Sequence, residues 1–112
     1  MKLNQLLEHN DTGCVFAGPG DAGQIEITSI ETDHRKCGPG SLFVCIKGYV
    51  TDGHRYAAAA AEAGAVAILA QSRETLEEYG FDAGKNGPAV ILCPDTRWAL
   101  SGICAAFYGN PS

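Results

Sequence analysis

Two rhythms of apolar and polar residues run along this chain, and the changes between them mark its elements. Leu3, Leu6 and Leu7 recur at helical spacing and predict a short helix over residues 2–9. A loop rich in glycine and aspartate follows, running through GPGDAG at 18–23. IEITSIETD then alternates through Ile25 and Ile27 until Ile30 breaks phase, which predicts a strand with an irregularity. KCGPG at 36–40 reads as a turn, and the unbroken apolar run SLFVCI at 41–46 as a strand buried on both faces.

Beyond that strand, Asp52 or Gly53 opens a helix through HRYAAAAAEAGA, whose alanines favour the helix and let it lie close on a sheet. Gly64 is suited to close it in the left-handed conformation, and AVAILA at 65–70 is the next buried strand. This strand–helix–strand order implies parallel neighbours. SRETLEEYG predicts a short exposed helix started by Ser72, and AVILCP at 89–94 a third buried strand. DTRWALSGICAAFYG predicts a final amphipathic helix, with Leu100, Ile103, Cys104 and Phe107 on one stripe. The expected fold is three-layer α/β: a mixed, largely parallel sheet with helices on both faces. Trp98, Phe107 and Tyr108 are expected in the core or at a domain junction rather than at a ligand. Pro111, just past the last helix, suggests that the chain leads on into something else.

Composition narrows the partners. The 112 residues are 46% apolar and 19% charged, which suits one globular domain, and the formal charge of −5 argues against nucleic acid and anionic membranes as partners. The start, MKLNQLLEHN, lacks the apolar run of a signal peptide, and the stretch around 57–70 is too short and too interrupted to span a bilayer. Five cysteines without a CxxC or Cys/His spacing read as reduced small hydrophobes in a cytoplasmic protein.

Familiar chemical motifs are scarce. GPGDAG matches the letters of a dinucleotide-binding loop, but the expected context, a strand before and a helix after, is missing. There is no Walker A loop and no G-x-S-x-G elbow, so neither phosphate transfer nor acyl transfer is indicated. What stands out is TDHRKCGPGSLFVCIKGYVTDGHRY at 32–56, where Asp33, His34 and Arg35 precede the buried run and Asp52, Gly53 and His54 follow it. Asp33 and Asp52 could simply cap turns and helices. Alternatively, both clusters could line one anion site, as strand-end loops do in open α/β sheets. Two aspartates and two histidines are a short ligand set for a metal.

The same stretch, S-L-F-V-C-I-K-G-Y-x-x-D-G-H with D-x-R upstream, resembles the N-terminal domain of the MurE ligases, as do A-x-x-G-A-V-A-I-L-A at 61–70 and A-A-F-Y-G-x-P-S at 105–112. The resemblance covers nearly the whole chain. It implies a single N-terminal domain, residues 1–112, that binds UDP. The parent would be a cytoplasmic ligase of peptidoglycan synthesis that uses ATP and Mg2+ to add a third residue, meso-diaminopimelate by the likeness to Gram-positive bacilli, to UDP-MurNAc-L-Ala-D-Glu. Its central and C-terminal domains would carry the catalysis, so no catalytic residue, metal or cofactor is expected here. By the same resemblance the UDP contacts fall on Thr32, His34, Tyr49, Val50 and Thr51, supported by Asp33, Arg35, Gly48 and Asp52. His34 stands where the family usually has serine. The rival readings are a free-standing α/β interaction domain and the related MurF-type ligase.

Overall fold

The computed structural model describes residues 1–8, 13–18, 20, 22–48, 51–82 and 87–108. Five strands, β1 (Val15–Gly18), β2 (Ser29–Glu31), β3 (Ser41–Val44), β4 (Ala67–Ala70) and β5 (Ala89–Leu92), form one sheet in the order β1-β5-β4-β3-β2. The pairs β2–β3, β3–β4 and β4–β5 are parallel, and only β1 runs antiparallel, along β5. Among the described residues the α-helices are α1 (Leu3–Glu8), α2 (Ala57–Glu62), α3 (Arg73–Glu78) and α4 (Thr96–Tyr108).

The continuous apolar runs behave as fully buried strands should: every residue of β3 and β4 is buried. Because side chains alternate across a strand, each run feeds two cores. Leu42, Val44, Ala67, Leu69 and Ile91 pack with Leu3, Leu6, Ala99 and Ile103 of α1 and α4. Phe43, Ile68, Ala70 and Val90 pack with Ala57, Ala60 and Leu76 of α2 and α3. The expected three layers, with helices on both faces of a mixed sheet, are what the chain forms.

Local chemistry ends the elements where the sequence implied. Ser72 Oγ accepts the Thr75 amide at the start of α3, and Asp95 Oδ1 accepts the amides of Arg97 and Trp98 at the start of α4. Gly64 closes α2 at φ 118°, and a Cβ there would lie 2.7 Å from the Pro39 nitrogen, so the 36–40 turn rests against it. All five cysteines are thiols, with none in a disulfide.

Three readings shift. The residues 14–18, taken for loop, include β1. The strand expected across 25–33 shrinks to β2, with Glu26 making an isolated bridge to Lys2. The helix expected from residue 53 begins as a 3-10 turn, Gly53–Tyr56, that runs into α2. Trp98 and Tyr108 are not core residues, since they are 68% and 61% exposed; Phe107 is partly buried against the α1–α4 core.

Candidate functional site

The parallel pairing of β2 with β3 decides how the two charged clusters relate. Residues 32–35 leave the carboxyl end of β2, and residues 46–48 and 51–56 follow the carboxyl end of its neighbour. Both clusters therefore emerge at the same edge of the sheet, where open α/β domains hold ligands. Between them lies a cavity of about 530 Å³ lined by Thr32, Asp33, His34, Arg35, Ile46, Thr51, Gly53 and Tyr56.

The first wall is set by Asp33. Its Oδ1 accepts the Arg35 amide at 2.9 Å, which starts the 3-10 turn His34–Lys36. The same carboxylate holds the Arg35 guanidinium through two bonds, Nε to Oδ1 at 3.1 Å and Nη2 to Oδ2 at 2.9 Å. That fork uses Nε and Nη2 and leaves Nη1 outside the Asp33 contact. The Arg35 side chain, with its backbone amide behind it, lowers the Asp33 carboxyl from an ordinary 3.8 to about 2. In turn the Asp33 carboxylate raises Arg35. The His34 ring stacks flat on Tyr56, with centroids 4.4 Å apart and planes 5° from parallel. The Arg55 guanidinium lies 5.9 Å from the centre of the Tyr56 ring.

The second wall is a loop folded back on itself. Gly53 donates to the Ile46 carbonyl at 2.8 Å, and Gly48 to the Thr51 carbonyl at 2.9 Å. Gly53 has no room for a side chain: a Cβ would stand 2.6 Å from the Ile46 nitrogen. Asp52 caps the following 3-10 turn through the His54 amide and bonds the His54 ring. Burial pushes the Asp52 carboxyl upward, but the His54 backbone and ring contacts outweigh it and the net shift is downward.

Of the residues singled out in the sequence, Thr32, Asp33, His34, Arg35 and Thr51 line the cavity. Gly48 and Asp52 shape the second wall from behind it, and Tyr49 and Val50 lie outside the described residues. The expected UDP contacts left out the lining residues Ile46, Gly53 and Tyr56, although Gly53 belonged to the second of the two clusters. All three sit inside the stretch that drew attention, but only the fold shows which of them turn inward. The two aspartate–histidine pairs stay apart, and among the described residues no cluster of three or more His, Cys, Asp or Glu is placed to hold a metal ion. The GPGDAG glycines do follow a strand, β1. They lead into a 3-10 turn, Ala22–Gln24, rather than a helix N-terminus, so the dinucleotide loop is still not formed.

The chain is thus an open α/β domain with an arginine-edged cleft at the carboxyl ends of parallel strands, the place where such sheets hold ligands. Residues 26–108 match the model of the Mur ligase family, catalytic domain. The chain belongs to the Mur ligase family. It is 45% identical over its full length to the UDP-N-acetylmuramoyl-L-alanyl-D-glutamate--2,6-diaminopimelate ligase of Bacillus licheniformis, and 43% identical over 113 aligned residues to that of Syntrophomonas wolfei. It spans 20% of the length of each of these relatives. Among solved structures, MurF from Acinetobacter baumannii superposes with a TM-score of 0.70 at 25% identity, covering 94% of this chain and 20% of that one.

Proposed function

We propose that this chain is the N-terminal substrate-binding domain of a cytoplasmic, ATP-dependent ligase of peptidoglycan synthesis. The parent enzyme joins meso-diaminopimelate to the D-glutamate of UDP-N-acetylmuramoyl-L-alanyl-D-glutamate, and the cleft described above takes the UDP end. ATP and Mg2+ act in a further domain of the parent, and the central and C-terminal domains are the partners of this one.

The observation that carries this reading is the convergence of residues 32–35 and 51–53 on one cleft. Hydroxyls of Thr32 and Thr51 suit the polar edge of a nucleobase and ribose, the His34–Tyr56 stack offers an aromatic face, and Arg35 offers charge to a diphosphate. In this reading the cleft binds and does not catalyse. Its contribution is positional: gripping a distant handle lets binding energy orient the carboxyl that reacts elsewhere.

A MurF-type ligase is the second reading, favoured by the superposition on MurF. The sequence likeness weighs against it, at 45% to a diaminopimelate ligase and 25% to MurF. Amide NMR of the chain titrated with UDP tests the nucleotide site. Shifts concentrated at residues 32–35 and 51–53 are expected, and their absence at millimolar UDP in a folded sample overturns it. For the parent, ATP-dependent coupling of diaminopimelate to the UDP-linked dipeptide separates the two ligase readings. Coupling of D-alanyl-D-alanine to the UDP-linked tripeptide instead would make it MurF-type.

A further inference from the structure

His54 does not line the cleft, yet it is 2% exposed and uses both ring nitrogens. Nε2 accepts the Gln71 amide at 3.0 Å, so the ring proton sits on Nδ1, which donates to Asp52 Oδ1 at 2.6 Å. Gln71 follows β4 directly, and its side chain donates to the Pro94 carbonyl, past the end of β5, at 2.9 Å. One chain of hydrogen bonds thus runs from the end of β5, across the end of β4, into the loop after β3. Arg97 of α4 adds a second tie, donating to the Lys47 carbonyl at 3.4 Å. Between these anchors the loop closes on itself through Gly48 and Gly53.

We propose that His54 is a positioning residue of the cleft, its fixed tautomer carrying the register of the sheet's carboxyl edge into the loop and so setting the wall formed by Thr51 and Gly53. The role rests on the reading of the cleft as the UDP site. An apolar side chain could fill the same space, but it would strip the Gln71 amide of its acceptor and Asp52 of a donor. Among the described residues, the loop would then keep its internal bonds and the tie to Arg97.

The two contacts can be separated. His54→Asn keeps a donor where Nδ1 stood and loses the acceptor for Gln71; His54→Gln keeps an acceptor near Nε2 and loses the donor to Asp52. Each variant is titrated with UDP by amide NMR alongside the wild-type chain, and its stability is measured by urea unfolding. His54→Gln is expected to weaken UDP about tenfold and to move the Thr51 and Gly53 amides while those of residues 32–35 hold. His54→Asn, which cuts the tie to the Gln71 amide and so to the sheet edge, is expected to weaken UDP to a similar extent and to move the same amides, whichever of the two variants is the less stable. Asp52→Ala breaks the same bond from the half-buried side, and gives the answer if His54→Gln does not fold. Affinities in all folded variants within twofold of wild type, or an order that merely follows stability, overturn the positioning role and leave the nucleotide site standing. A wild-type chain that shows no shifts with UDP overturns both.

Discussion

Asp33 orders the first wall of the cleft and ties that order to pH. Its folded value of about 2 lies below the ordinary 3.8, so the contribution of its ionised form is complete above 3.8 and disappears as pH falls through about 2. The Asp33 side-chain carboxyl shift should stay that of the ionised form from neutral pH to about pH 4 and titrate only below that, which an NMR pH series reads directly. Gly53 limits the second wall by contact with backbone, which cannot rotate away. Gly53→Ala is expected to destabilise the chain by about 1–3 kcal/mol, as overpacking does, in urea unfolding. At this scale the sequence was most legible where side chains serve their own neighbourhood. Asp33 and Asp52 cap turns, as the modest reading supposed, and they also frame one cleft, so the two readings were never exclusive. Tyr56 was hidden because its role depends on a ring, His34, that stands more than twenty residues earlier in the chain.

At the scale of elements, buried runs spoke plainly and short edges did not. β3, β4 and β5 are apolar on both faces, so their burial was written in composition. VFAG at 15–18 is exposed or only partly buried and ends in glycine, which leaves it no clear alternation to show. It is a strand because β5 pairs with it, a tertiary cause that propensity does not carry. Ile91 lies at the centre of the α1–α4 core with no exposure, and Ile91→Ala is expected to cost about 2–5 kcal/mol. Asp95 holds two amides at the start of α4, and Asp95→Ala is expected to cost roughly 0.5–2 kcal/mol. Urea unfolding measures both. The larger loss should come from the core, because a cavity removes contacts that water cannot replace.

For the whole molecule, the proposed UDP site would hold only one end of the proposed substrate. The chain alone is expected to hold UDP at least tenfold more weakly than the complete ligase, since further domains would share in ordering the ligand. Calorimetry or NMR on the two proteins gives the comparison. The parallel pairing of β3 with β4 was foreseeable from the strand–helix–strand spacing, whereas the parallel pairing of β2 with β3, which makes the two charged clusters neighbours, lies across a short turn and was not. The position of β1 was not foreseeable, and it has a consequence for how the molecule comes together. Val15 pairs with Leu92, so the first strand in the sequence finds its place only through the last. Closing so long a loop is slow compared with joining successive strands. During synthesis the β2–β3–β4 region can assemble while β1 waits, and a ribosome that stalls before Ala89 would release a chain whose opening strand has nothing to join.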